Sequence, residues 1–171
     1  RAQAAVLGEG ARLRDFSTQL GAKLDRRECN VQLAGARADA RLFSVGVPCK
    51  GQCFDQRTYQ GHLAPDTSSD LFYKNGVLAQ GRSVFSGMID VKPKAQGTAA
   101  YQSNRNLLMS DSAQAVSMPG LEIGANDVKC SHGATDAPID PEQLFYLRQR
   151  GIGEQQARAL QHHCADGGEL P

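Results

Sequence analysis

Apolar and polar residues alternate along most of this chain, with little repetition at a helical period. In "SVFSGMIDV" (83–91), Val84, Ser86, Met88 and Asp90 fall on one face of an extended segment. Phe85, Gly87, Ile89 and Val91 fall on the other. Comparable runs are "NVQL" (30–33), "ARLFSVGV" (40–47), "RTYQGH" (57–62), "DLFYKNGVL" (70–78), "NRNLLMS" (104–110), "LEIG" (121–124) and "VKCSHGA" (128–134). Their starts recur at intervals of roughly 10–15 residues, which suits a β-sandwich or a β-solenoid. The Asn75-Gly76 step is a turn signal, or at least a bend in the strand path. Two features favour the solenoid. Helix-like stretches are absent from 1–138, and small residues or amides (Gly81, Gly97, Asn104, Asn106, Gly120) recur where tight corners are expected. The end coils of such a body need a cap or a partner, because an open end is an exposed sheet edge.

From residue 140 the texture changes. "DPEQLFYLRQRG" predicts a helix with Asp140 as N-cap, Pro141 at its first position, Glu142 in its first turn and Gly151 ending it. Leu144 with Leu147, and Phe145 with Ile152, lie at helical spacings. A second helix is predicted over 154–164, with Ala157, Leu160 and Cys164 on one face. The division is therefore a β-body over 1–138 and a helical segment over 139–171, which is either a cap or a docking surface.

Composition narrows the function. The 171 residues carry 19 basic and 18 acidic side chains, a net charge of +1, and no basic stripe of the kind that marks a nucleic-acid binder. No apolar run approaches the roughly 20 residues that span a bilayer. The five cysteines (29, 49, 53, 130, 164) are odd in number and irregular in spacing, which points to a reducing compartment rather than a disulfide framework. The chain opens at Arg1 in mid-pattern without a Met, as expected of a fragment of a longer protein.

Candidate chemistry is sparse. Cys130 and His132 sit at i and i+2, so on a strand they share a face and could hold one metal or sulfur species, with Ser131 opposite. Two ligands fall short of the roughly four that zinc or an iron–sulfur cluster takes. Spacing alone favours a buried thiol beside a structural histidine. Cys49 and Cys53 form a C-x3-C pair with no second pair behind it, a weak zinc signal that reads better as two small residues in a loop. His62 reads as a structural histidine bonding a loop backbone. His162, His163 and Cys164 cluster at a predicted helix end, where adjacent side chains diverge and chelate poorly. No phosphate-binding glycine loop, zinc-protease helix or nucleophile elbow occurs.

Longer strings are more specific. "SVFSGMIDVKPKAQGTAAYQSNRNLLMSDSA" (83–113), "PGLEIGANDVKCSHGAT" (119–135), "LFYLRQRGI" (144–152) and, upstream, "HLAPDTSSDLFYKNGVL" (62–78) closely resemble the SufB/SufD family, in the right order. These are scaffold subunits of the SUF iron–sulfur cluster assembly machinery. The likeness covers most of the chain, best over about 57–160, and "CSHGAT" sides with the SufD branch. The SufB branch reads His-Glu-Ala-Thr there, so Gly133 takes the place of a glutamate.

The resemblance implies a right-handed parallel β-helix followed by a short C-terminal helical segment, and a scaffold rather than an enzyme. It implies pairing with SufB through the C-terminal end of the β-helix. The SufC ATPase would dock on 141–160, with Leu144, Phe145, Tyr146, Leu147, Arg150, Gly151 and Ile152 as contact residues. A transient iron–sulfur cluster would be shared with the partner subunit, with His132 and Cys130 as ligands. No nucleotide would bind this chain itself. The expected setting is bacterial cytoplasm or plastid stroma, with no nucleic-acid or membrane partner. The readings set against it are a carbohydrate-active solenoid enzyme, which needs paired carboxylates, and an interaction module whose Cys-His pair is inert. Asp90, Asp111 and Glu122 look isolated in the sequence.

Overall fold

The computed structural model describes residues 1–138, 140–154 and 156–157. Ten strands precede one helix: β1 (Ala2–Leu7), β2 (Arg12–Gln19), β3 (Leu24–Leu33), β4 (Asp39–Gly46), β5 (Cys53–His62), β6 (Ser68–Val77), β7 (Arg82–Val91), β8 (Thr98–Leu108), β9 (Gln114–Ile123), β10 (Val128–Pro138) and α1 (Pro141–Gln149). Every pairing is parallel, and each strand pairs with the next but one. The order is β1-β3-β5-β7-β9 in one sheet and β10-β8-β6-β4-β2 in the other. Parallel neighbours need a crossover, and here a strand of the opposite sheet supplies it. The chain is therefore a parallel β-solenoid.

Register stacks residues of successive coils into columns. Cys29 lies beside Thr58, Thr58 beside Gly87 and Gly87 beside Pro119. The alternation read in 83–91 holds: Phe85, Ile89 and Val91 are buried between the sheets. One part of the interior is apolar, with Val31, Leu33, Leu42, Leu71, Tyr73 and Phe85 in one cluster. The rings of Tyr73 and Phe85 meet edge-on, with centroids 5.8 Å apart. The sheets approach closely at Gly87, where a Cβ would stand 2.6 Å from Gln102 Oε1.

A second part of the interior is polar. Gln56 Nε2 donates to Gln19 Oε1 at 2.7 Å, and Asn75 Nδ2 donates to Gln56 Oε1 at 3.1 Å and Asn106 Oδ1 at 2.8 Å. Asn106 Nδ2 in turn donates to Ser117 Oγ at 3.1 Å and Asp136 Oδ1 at 2.6 Å. These bonds between the amides offset much of the cost of burying them, although Gln19 Nε2 and Asn75 Oδ1 have no partner among the described residues.

Several sequence expectations change. Asn104 and Asn106 are interior rungs of β8, not corners, and Gly120 lies within β9. Gly81 and Gly97 do stand at turns, Gly97 with φ +73°, and left-handed backbone at turns also falls on Arg37, Asp66 and Ala79. Asn75-Gly76 does not turn the chain; both residues continue β6. The strands β1 and β2 precede every run read from the pattern, and β9 starts at Gln114 despite Pro119. A proline is tolerated there because β9 is the last strand of its sheet.

The first predicted helix forms. Asp140 accepts from the Glu142 backbone N–H at 2.9 Å, and Gly151 has φ +82° just past the end. Ile152 lies beyond that end, so its pairing with Phe145 is not a helical one. Of the second predicted helix, Glu154, Gln156 and Ala157 are helical. Leu160, His162, His163 and Cys164 lie outside the described residues.

Candidate functional site

The C-terminal end of the solenoid is where the candidate residues gather. There β10 and β9 are the last strands of their sheets, so each presents an edge unpaired among the described residues. Cys130 continues the inward column Ala40–Ser69–Ala100, and His132 continues Leu42–Leu71–Gln102. Both side chains thus project from the interior-facing side of β10, about 7 Å apart along the strand. Among the described residues no further coil lies above them, so interior positions face outward here. His132 is exposed and Cys130 half-buried.

The two residues differ in environment. Cys130 packs against the cluster of Ile89, Val91, Ala95, Ala100 and Ala125. Burial pushes its thiol pKa up, and a backbone hydrogen bond from Ala100 pulls it partly back. It is therefore a thiol at neutral pH, and binding a metal would release its proton. Beneath His132, the Gln102 amide is buried with neither end paired among the described residues. An orphaned polar group under an exposed histidine suits a polar occupant at this end. Among the described residues no group of three or more His, Cys, Asp or Glu side chains could hold a metal ion. Cys130 and His132 fit a partial ligand set, with the remainder supplied from outside the chain.

Sequence reasoning missed Asp136. It lies in the same inward row of β10, at the end of the column Gly46–Asn75–Asn106. Its Oδ1 accepts from Asn106 at 2.6 Å and from Ser117 at 2.9 Å. The period-2 pattern that joined Cys130 to His132 reaches Asp136 if carried four residues further. Gly133 lies on the opposite, outer face, with nothing within 4 Å of a Cβ built there. A side chain at 133 would therefore not join Cys130 and His132.

His62 and the carboxylates are also placed. His62 is fully buried, with Nδ1 2.8 Å from Thr67 Oγ1 and Nε2 2.9 Å from Ser69 Oγ, so hydroxyls rather than a loop backbone hold it. Burial lowers its pKa to about 4, against an opposing pull from Asp90. Cys49 is exposed in the turn before β5, its thiol 3.1 Å from Gln52 Oε1, and Cys53 opens that strand. Asp90 and Glu122 are register partners on an outer face, so they are not isolated. Asp90, however, accepts from Tyr59 at 2.5 Å and from Lys92 at 2.8 Å. Burial raises its pKa, but the two hydrogen bonds together with the nearby positive charge of Lys92 and the His62 ring outweigh it and hold the carboxyl below its ordinary range. Tyr59 is pushed up to about 12, first by its bond to Asp90. An ionised carboxylate engaged by two donors is poorly suited to be the acid of a glycosidase pair.

The helix buries none of its residues. Phe145 and Tyr146 are 62% and 53% exposed, which is costly for a helix that is merely a cap. Arg150 lies over the Tyr146 ring at 4.5 Å, and Ile152 donates its N–H to Leu147 O at 3.3 Å. Leu144 and Pro141 share a cavity of about 340 Å³ with Leu108, Met109, Ala113 and Pro138.

Comparison with known proteins identifies the family. The family described as "SUF system FeS cluster assembly, SufBD core domain" matches residues 1–163. The iron–sulfur cluster assembly protein SufD of Escherichia coli is 41% identical over 91% of the chain and 37% of its own length. A SufBD family protein of Mycobacterium leprae is 36% identical over 91% of the chain and 42% of its own length. One from Synechocystis is 33% identical over 90% of the chain and 34% of its own length. The chain thus spans less than half the length of these relatives.

Proposed function

The chain belongs to the SufBD core domain family of the SUF iron–sulfur cluster assembly system, and on that premise we propose that it is part of a non-catalytic scaffold for cluster assembly. The cluster is its cargo. The observation that carries this reading is the placement of His132 and Cys130 on one face of the last strand, at an open end of the solenoid. The edges of β9 and β10, unpaired among the described residues, suit strand addition by a second subunit, here a SufB-type chain. That subunit supplies the ligands this chain lacks. The names of the relatives, which describe assembly proteins, support a scaffold rather than an enzyme.

The exposed face of α1, around Phe145 and Tyr146, is the proposed dock for a SufC-type ATPase, with Leu144, Leu147, Arg150, Gly151 and Ile152 completing it. No helix among the described residues is long and apolar enough to cross a membrane, and the proposed setting is bacterial cytoplasm or plastid stroma.

Co-purification with the SufB-type subunit and the ATPase tests the assembly. Removing residues 141–171 is expected to abolish ATPase capture and leave the SufB-type subunit bound. Retention of the ATPase by the truncated chain contradicts the docking assignment.

A further inference from the structure

One buried side chain at the open end has no task in the cluster-assembly reading. Gln102 of β8 is 2% exposed, and both ends of its amide lack a hydrogen-bond partner among the described residues. Buried amides are nearly always paired, so an unpaired one calls for a reason. The side chain reaches across the interior toward β7, where a Cβ at Gly87 would stand 2.6 Å from Gln102 Oε1 and 2.6 Å from the Phe85 ring. Neither Gly87 nor Phe85 offers a side-chain hydrogen bond there.

In the other direction, along its own column, the register partner of Gln102 is His132 of β10. The His132 ring also takes part in no hydrogen bond among the described residues. An unpaired amide and an unpaired imidazole thus stand on adjacent rungs, about 4.8 Å apart. Another column of the same sheet shows what such a step does. There Asn106 Nδ2, also of β8, donates to Asp136 of β10 at 2.6 Å, and one rung lower Asn75 Nδ2 donates to Asn106 Oδ1 at 2.8 Å. Amides of this interior therefore bond along their columns, and Gln102 is longer than Asn106 by one methylene.

We infer that Gln102 is a positioning residue for His132. Its amide oxygen accepts one ring N–H, which fixes the tautomer and leaves the lone pair of the other nitrogen directed out of the open end. A ligating histidine needs one bare nitrogen, and the hydrogen bond made by the other decides which nitrogen that is. The amide reaches the ring by changing rotamer out of the Gly87 slot, where it forfeits no hydrogen bond. Cys130 gains no such support, because its register partner is Ala100. The role in ligation rests on the cluster-assembly reading; the hydrogen bond does not.

Long-range proton–nitrogen correlation of the His132 ring tests the bond, in the full chain at a pH where the ring is neutral, with His132→Ala to assign the signals. Wild type should favour one tautomer by about tenfold or more. Gln102→Met, similar in length and without a polar end, should return the ring to the mixture of a free imidazole. Gln102→Glu, which keeps an acceptor, should retain the wild-type tautomer, and both variants should keep the wild-type circular dichroism. Reconstituted with the SufB-type subunit and the ATPase, Gln102→Met should carry about tenfold less iron and sulfide, and Gln102→Glu close to the wild-type amount. A wild-type ring already in the free mixture would overturn the inference whether or not a variant folds. So would an unchanged tautomer ratio in Gln102→Met, which would mean that a buried water and not His132 satisfies the amide. Full iron and sulfide in Gln102→Met, where His132→Ala is depleted, would overturn the positioning role. Full iron and sulfide in His132→Ala would instead contradict the ligand reading, and the tautomer measurement would still decide the bond.

Discussion

Asn106 and Asp136 join the interior of the solenoid to its open end. The Asn106 side-chain amide, buried in β8, donates at 2.6 Å to an Asp136 carboxylate oxygen on the exposed strand β10. The same oxygen accepts from Ser117 of β9, so one carboxylate ties the last strands of both sheets. Asp136→Ala should cost about 1.5–2 kcal/mol, the lower part of the range for hydrogen bonds to a charged group. Asp136→Asn, which keeps the acceptor, should cost less. Urea midpoints of the two variants measure the difference, and equal midpoints would deny the carboxylate this role.

Deeper in the same row, Asn75 donates to both Gln56 and Asn106. Asn75→Ala strands two buried acceptors, with an expected loss of about 2–4 kcal/mol. A thermal unfolding midpoint unchanged within error would show that the row carries little of the stability.

The buried His62 sets a pH dependence. Its folded pKa of about 4 lies below the ordinary value of 6.5, because burial penalises the charged ring. The unfolded chain therefore binds more protons between those values, and stability rises with pH across that window. The contribution is complete above about 6.5 and is lost as pH falls toward 4, on the order of 3 kcal/mol in all. His62→Gln should flatten the slope between pH 6.5 and 4. Carboxylates held low, such as Asp90, add their own loss only in more acid solution. A wild-type slope that persists in the variant would place the titration elsewhere.

Gly133 faces outward into open space. Gly133→Glu should change stability by no more than about 0.5 kcal/mol, as for most surface substitutions. It should also leave the rate at which Cys130 reacts with a thiol reagent unchanged, since the new carboxylate lies on the opposite face of β10. A marked change in that rate would show the two faces to be coupled.

How much of this was legible depended on whether the signal was local. The alternation in 83–91 gave the correct inward face, and Asp140, Pro141 and Gly151 marked the helix correctly, because both patterns are set by near neighbours. Asn104, Asn106 and Asn75 misled because amides favour turns in general. Here they bond inside the solenoid, and that depends on residues distant in sequence (Asn75 to Asn106, 31 positions away, for example). Asp90 and Glu122 looked isolated for the same reason. The Cys130 and His132 pair was read from period 2. That they stand at an open end follows only from the strand order.

His132 is the most direct point of attack on the cluster-assembly reading. It is exposed, so its truncation should leave the fold intact. The decisive measurement is iron and acid-labile sulfide per complex, after reconstitution of His132→Ala with the SufB-type subunit and the ATPase. The account predicts an intact complex with at least about tenfold less cluster, the scale expected when a metal site is perturbed. An intact complex that carries the full complement of iron and sulfide would contradict it.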